Sequence, residues 1–132
     1  MTTEDINKFE KVQSQLEGLL TEMTNLVRKS PDDPINKFKL KIINEILHDA
    51  NNILGVMYRP LTSFEKFDEA ELPTNSDVSF ILSQYLSCFE KMRADNIYRV
   101  NEYDGNKHFF EWHWFEENKK SKIKTAPPKK IK

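Results

Sequence analysis

Hydrophobic residues recur at steps of three and four along three segments of the chain, which is the spacing of one face of an α-helix. The first segment covers residues 3–29, and Thr2 or Thr3 can cap its amino end. Its apolar stripe contains Phe9, Val12, Leu16, Leu19, Met23 and Leu26. The stripe follows coiled-coil spacing over about two and a half heptads. The pattern therefore allows either a helix of an intramolecular bundle or a helix that forms a dimeric coiled coil.

The second segment runs from Asp33 to Tyr58 and has both a start and a stop signal. Asp33 followed by Pro34 suits an N-cap and the first helical position, and Pro60 ends the helix. The apolar stripe is predicted to contain Ile43, Ile46, Leu47, Ala50, Ile53, Leu54 and Met57. The opposite, polar face contains Lys41, Glu45, His48, Asn52 and Gly55. The short connection at residues 30–32 makes the first two helices antiparallel neighbours.

The third helical segment begins at Asn75 or Ser76 and extends to about Ala94. Its apolar stripe contains Val78, Ile81, Tyr85, Cys88 and Met92. Residues 60–75 form a longer crossing between the second and third helices. Three apolar side chains are expected to hold that crossing against the bundle, and these are Phe64, Phe67 and Leu72.

After the third helix the pattern changes to that of a β-hairpin over about residues 97–115. The Asp104-Gly105 pair between β-formers predicts a two-residue turn, in a register that places Val100 opposite Phe109 and Glu102 opposite Lys107. One face then carries Ile97, Arg99, Tyr103, Phe110, Trp112 and Trp114, and the other carries Tyr98, Val100, Phe109 and Phe115. The predicted fold is therefore mainly α, a three-helix bundle with a C-terminal antiparallel β-hairpin.

The charge distribution divides the chain into an acidic body and a basic tail. Residues 119–132 contain seven of the 20 basic groups and no acidic group, so residues 1–118 hold 13 basic and 21 acidic groups, a net charge of −8. Residues 1–118 are predicted to form a single domain. The lysine-rich tail has no hydrophobic periodicity and contains two prolines, which predicts that residues 119–132 are disordered.

Composition also bears on the compartment in which the chain works. The single cysteine, Cys88, excludes an internal disulfide framework and fits a reducing environment. No apolar run is long enough for a membrane span, and the amino-terminal residues are polar and acidic, unlike a secretory signal. A cytoplasmic protein without membrane association is therefore expected.

The second helix contains the run His48-Asp49-Ala50-Asn51-Asn52-Ile53-Leu54-Gly55. This run resembles the phospho-acceptor helix of sensor histidine kinases. The resemblance implies that His48 accepts a phosphoryl group, that Asp49 is its acid/base partner and that Asn52 lies nearby. With only three glycines the chain lacks a glycine-rich nucleotide lid, so the resemblance implies a phosphotransfer protein rather than a kinase. The alternative is an ordinary solvent-facing histidine beside an aspartate.

Other chemistry receives little support from the sequence. Strand alternation places His108 on the face opposite Glu111 and His113, so only two of these side chains could share a metal ion, fewer than zinc sites use. Cys88 lies on an apolar stripe, where a buried thiol is inert. The chain has neither a phosphate-binding loop nor a dinucleotide fingerprint. No enzyme activity, metal or cofactor is therefore predicted.

The leading functional prediction is a non-enzymatic protein–protein interaction module of the adaptor or regulatory kind. Its partner-binding residues are predicted to be Trp112, Trp114, Phe110 and Arg99, and self-association as a homodimer through the first helix is a further possibility. Histidine phosphotransfer through His48 is the alternative. A third hypothesis is nucleic-acid binding through Lys119, Lys120, Lys122, Lys124, Lys129 and Lys130, although the acidic body would repel a polyanion.

Overall fold

A computed structural model describes residues 1–116 and 119–129, with residues 119–122 described by their backbone alone. The chain forms three helices followed by one antiparallel sheet, which confirms the predicted fold class. The helices are α1 (Thr3–Lys29), α2 (Lys37–Tyr58) and α3 (Asn75–Asp95). The strands are β1 (Ile97–Asp104), β2 (Lys107–Glu116) and β3 (Lys119–Thr125), in the order β1-β2-β3.

The starts of α1 and α3 are fixed by side chains that accept hydrogen bonds from free backbone amides. Thr2 caps α1 and accepts from the Asp5 amide at 3.1 Å, while the Asp5 carboxylate accepts from the Thr2 amide at 3.0 Å. This reciprocal pair is a capping box, and its hydrogen bonds lower the pKa of Asp5. Thr74 caps α3 in the same way through the Asp77 amide at 3.1 Å. Both starts agree with the sequence prediction.

The start of α2 differs from the prediction. The helix begins at Lys37, with the Asn36 side chain accepting from the Lys39 amide, so Asp33 and Pro34 lie outside it. They form instead a short β-bridge to the start of α3, in which the Asp33 carbonyl accepts from the Asn75 amide at 2.9 Å. This long-range pairing satisfies backbone groups that a local cap was expected to satisfy.

The end of α2 is interrupted at Gly55, which has φ 62° and ψ −170°. Only glycine adopts such angles easily, because a side chain would clash with the backbone. The helical face turns at this point, so Val56 and Met57 are exposed to solvent. The prediction that Met57 belongs to the buried stripe is therefore wrong.

The core lies between the three helices and the base of the sheet. It contains Ile6, Phe9, Val12, Leu16, Met23, Ile35, Leu40, Ile43, Ile46, Leu47, Ala50, Leu54, Val78, Ile81, Leu82, Tyr85, Phe89, Ile97 and Trp114. The stripe of α1 is thus used inside one molecule, with Leu19 and Leu26 packed partly against the same core. Of the two alternatives for α1, the structure shows the intramolecular bundle, and the proposed dimer seam is already occupied.

The crossing between α2 and α3 is held by side-chain amides as well as by aromatic rings. Asn44 exchanges two hydrogen bonds with the backbone of Phe67, at 2.9 and 3.0 Å. Asn51 donates to the Glu65 carbonyl at 3.0 Å and accepts from the Tyr85 hydroxyl at 2.7 Å. Phe64 and Phe67 are partly buried as predicted, whereas Leu72 is exposed. The amides explain how a loop with few apolar residues stays close to the bundle.

The turn of the hairpin lies one residue further along the chain than predicted, so the pairing across the two strands is shifted by two residues and each side chain keeps its predicted face. Asp104 pairs with Lys107, so the turn is formed by Gly105 and Asn106 and not by Asp104 and Gly105. Gly105 has φ 60°, and it therefore supplies the positive φ of the turn at its first central position. As a result Val100 lies opposite Glu111, and Arg99 lies opposite Trp112.

Residues 119–125 differ from the predicted disordered tail, because they form strand β3 along the free edge of β2. Ile123 packs partly against the core, and Lys124 Nζ lies 3.1 Å from Glu111 Oε1 on β2. These long-range contacts are not visible in the composition of the segment. The tail residues 130–132 lie outside the described residues.

Candidate functional site

The base of the hairpin is anchored to the helices through Trp114. Its side chain is 0% exposed, its ring centroid lies 5.1 Å from that of Phe9, and its Nε1 donates to Glu10 Oε1 at 2.8 Å. The Phe115 amide also donates to the Asn96 carbonyl at 2.7 Å. Trp114 therefore belongs to the core and is not available to a partner, contrary to its predicted role. Trp112 is only half-buried and packs at the margin of the same core.

The far end of the hairpin extends into solvent, where residues 103–110 are all exposed. Four side chains lie together on one face here, and we call them the tip face: Arg99, Tyr103, His108 and Phe110. The rings of Tyr103 and His108 stack with centroids 4.9 Å apart, and those of His108 and Phe110 meet edge to face at 4.9 Å. The guanidinium carbon of Arg99 lies 4.3 Å from the Phe110 ring centre. The tip face is thus a continuous row of rings ending in a cation.

The tip face combines solvent exposure with fixed ring positions. Tyr103 is 73% exposed and Phe110 is 51% exposed, yet both are held by their ring neighbours. Aromatic residues and arginine are the types that contribute most of the energy at protein interfaces. Because their positions are already fixed, less side-chain entropy is lost on binding. The tip face includes Phe110 and Arg99 from the predicted partner-binding set, and adds Tyr103 and His108.

The opposite face of the hairpin carries a polar cluster. His113 Nε2 lies 3.1 Å from Glu111 Oε2, and Lys124 Nζ lies 3.1 Å from the other oxygen of the same carboxylate. The hydrogen bond from His113, followed by that from Lys124, lowers the pKa of Glu111. His108 lies on the other face, as predicted. Within the described ranges there is no group of three His, Cys, Asp or Glu side chains that could hold a metal ion.

His48 lies on the exposed face of α2, where its Nε2 is 3.4 Å from Asn52 Nδ2. Both side chains line a shallow cavity of about 250 Å³, together with Asn51, Arg59, Glu65 and Lys66. Asp49 is also exposed, but it lines a different cavity that faces Lys8 and Lys11 of α1. The structure therefore brings His48 and Asn52 together, and it places two cations, rather than Asp49, at the cavity of His48.

The lysines predicted to bind nucleic acid are only partly described. Lys124 is paired with Glu111, and the Lys129 backbone amide donates to buried Glu90 at 2.9 Å. The side chains of Lys119, Lys120 and Lys122, and all of Lys130, lie outside the described residues. The described part of the tail therefore lies against carboxylates.

Cys88 offers no reactive thiolate, because it is half-buried on α3 and burial raises its pKa.

Searches of family models, of curated proteins and of solved structures return no match to this chain. None of the described helices combines the length and the apolar character that crossing a bilayer requires. The fold and the geometry of the surface are thus the observations on which a functional proposal can rest.

Proposed function

We propose that this chain is a non-enzymatic protein–protein interaction module that binds its partner through the tip face. One observation carries the proposal: the Phe110 ring centre lies 4.3 Å from the Arg99 guanidinium carbon, while the residue remains 51% exposed. Exposed rings that are already ordered retain apolar surface to bury on association. A cytoplasmic location is part of the proposal, supported by the single cysteine.

The chemistry of the tip face also indicates what the partner surface offers. Arg99 presents a charge-assisted donor beside an apolar row, and the body around it is acidic overall. A matching surface has an apolar pocket for Phe110 and an acidic group next to it. Such a surface is common on proteins, whereas nucleic acid would be repelled by the net charge of the body.

The proposal is tested with a double variant, Tyr103→Ser with Phe110→Ser, in the full chain. The matched control is Phe38→Ser with Phe80→Ser, which removes two similarly exposed rings, 72% and 60% exposed, from α2 and α3. The wild-type protein, the tip variant and the control are each used as affinity bait in a lysate of the native cells, and bound proteins are quantified by mass spectrometry. We expect the same partner on wild type and control, and its loss from the tip variant.

Equal recovery of the partner on tip variant and control would contradict the proposal. Light scattering of the pure wild-type protein is recorded in parallel. A concentration-dependent dimer that the tip variant abolishes would identify a second copy of the chain as the partner. Helical circular dichroism should be unchanged in both variants, because all four rings lie outside the core.

A second candidate function is phosphoryl acceptance by His48, and it is favoured by Arg59 and Lys66, which outnumber the one carboxylate, Glu65, in the lining of the same cavity. Two cations near an imidazole would stabilise the charge of a transferred phosphoryl group. Incubation with acetyl phosphate should then give acid-labile label on wild type and none on His48→Gln. His108→Gln is the matched control, since it removes another exposed histidine. Label that survives in His48→Gln would contradict this candidate.

A further inference from the structure

A buried ion pair on α3 contacts the segment that follows the sheet. Arg93 is 3% exposed and Glu90 is 6% exposed, and Arg93 donates two hydrogen bonds to the Glu90 carboxylate, at 2.6 and 3.0 Å. Burial opposes ionisation of Glu90, but its hydrogen bonds from Arg93 and from the Lys129 amide outweigh this effect and lower its pKa. The pair therefore presents a charged carboxylate that accepts hydrogen bonds and a charged guanidinium that donates them. Both groups are held in place on the wall of a groove.

The remaining hydrogen bonds of this pair are made to residues 125–129. Arg93 Nη1 donates to Thr125 Oγ1 at 2.9 Å and to the Ala126 carbonyl at 2.6 Å, and Nη2 donates to the Pro127 carbonyl at 2.9 Å. Glu90 accepts from the Lys129 amide at 2.9 Å. Three of these four contacts are to backbone groups. The pair thus recognises an extended chain more than the identity of its side chains.

The groove beside this pair is bounded on one side by helix residues and on the other by the segment, and the charges of the two sides are opposite. Its lining includes Glu10 and Glu17 of α1 together with Glu90, while the segment brings Lys124 and Lys129. Pro127 and Pro128 favour an extended backbone, which lowers the entropy lost when the segment docks. The opposite charges and the extended backbone suit a basic, proline-containing peptide.

We propose that this groove between α1 and α3 is an exchangeable peptide site, and that residues 125–129 are its resident competitor. The ligand is an extended, basic, proline-containing segment of a partner protein. Because the resident segment is tethered, it competes at an effective concentration of the order of millimolar. A partner segment therefore binds well only when its affinity is high enough to displace the resident segment, or when the resident segment has left the groove. This site is separate from the tip face and does not depend on its function.

The test uses a fluorescein-labelled peptide with the sequence of residues 123–129, IKTAPPK, titrated into the full chain and followed by anisotropy. The variant Pro127→Gly with Pro128→Gly loosens the resident segment and leaves the groove intact. We expect the peptide to bind this variant about tenfold more tightly than wild type, because the flexible resident competes less well. A peptide with both prolines replaced by glycine should bind more weakly to either protein.

A second variant shows whether the ion pair makes the site. Arg93→Lys in the loosened background keeps the charge but lacks the planar fork that reaches three acceptors, so peptide binding should fall at least about tenfold. Phe110→Ser, on the tip face, should leave peptide binding unchanged. Urea unfolding of each variant confirms that it is folded during the titration.

Equal peptide affinity for wild type and the loosened variant, or no binding to the loosened variant at about millimolar peptide, would overturn the proposal and make residues 125–129 a permanent part of the fold. A wild-type dimer that grows with concentration and is dissociated by the peptide would overturn the assignment to a separate partner. The occupant would then be the same segment of a second copy.

Discussion

The two ends of the hairpin formed by β1 and β2 have similar residues but opposite environments. Next to the helices, Ile97 and Trp114 pair across the strands and both are buried. At the far end, Tyr103 and His108 pair across the same strands and both are exposed. The difference is made by the helices, because Phe9 of α1 covers Trp114, whereas the rings of Tyr103 and His108 contact each other and remain exposed.

This comparison shows how a small domain can expose aromatic rings without losing its fold. An isolated hairpin is only marginally stable in water, so the buried end must supply the stability of both ends. The exposed end is then free to keep rings that contribute little to folding. The stability lost when a ring is removed should therefore be large at the buried end and small at the exposed end.

The largest expected effect is the loss of the anchor in Trp114→Ala. Removing this buried ring leaves a cavity beside Phe9 and should lower the free energy of unfolding by about 3–5 kcal/mol. The matched substitution Phe110→Ala removes an exposed ring from the same strand and should cost less than about 1 kcal/mol. Urea denaturation followed by circular dichroism measures both. Similar losses for the two variants would show that the ends of the hairpin are not different.

Breaking the buried ion pair should have the next largest effect, because it holds the chain that leaves β3. Arg93→Met leaves the Glu90 carboxylate buried without its cation and should cost about 3 kcal/mol. The double variant Glu90→Gln with Arg93→Met should be more stable than this single variant, since no charge is left unpaired. Denaturation of the three proteins gives the comparison. Equal stability of the single variant and wild type would show that the pair contributes nothing to the base of the sheet.

The same pair predicts a dependence on pH. The pKa of Glu90 is lower in the folded protein than its ordinary value of 4.5, so its ionised form favours folding. This contribution is complete above that ordinary value and is lost as the pH falls through the folded pKa. As the pH is lowered from about 6 to 3, the free energy of unfolding should therefore fall less steeply in Glu90→Gln than in wild type. Parallel curves of unfolding free energy against pH for the two proteins would contradict a stabilising effect of ionised Glu90.

A smaller effect is expected at the turn of the tip. Gly105 has φ 60°, and nothing lies within 4 Å of the position a Cβ would occupy, so Gly105→Ala introduces backbone strain without a clash. The cost should be about 1 kcal/mol in the free energy of unfolding. Asn106→Ala is the matched control at the neighbouring turn position. A loss larger than that of Trp114→Ala would show that the tip, not the base, organises the hairpin.

Much of the helical architecture is predictable from local signals. The three- and four-residue periodicity locates α1, α2 and α3, and the caps at Thr2 and Thr74 are local to the helices they start. Asp33-Pro34 has the same local signal but is used in a β-bridge with Thr74, which only the folded chain brings near. The start of α2 was therefore predicted too early for a physical reason: a long-range pairing replaced the local cap.

The candidate site was harder to predict than the fold. Strand alternation places Phe110, Trp112 and Trp114 on one face, but it does not say how far along the strand the helices cover that face. Trp114 was consequently placed with the exposed rings. The presence of His108 on the tip face could have been found from the same alternation. The contact of Arg93 with residues 125–127 could not, because it joins positions more than thirty apart.

Backbone amide hydrogen exchange of the free protein tests most directly whether the base of the hairpin is more stable than its tip. Amides at the base, near Ile97 and Trp114, should exchange only when the whole domain unfolds. Amides at the tip, near Tyr103 and His108, should exchange at least about 100-fold faster through local opening. Equal protection along the whole length of β1 and β2 would contradict the account, because the tip would then be as firmly held as the base.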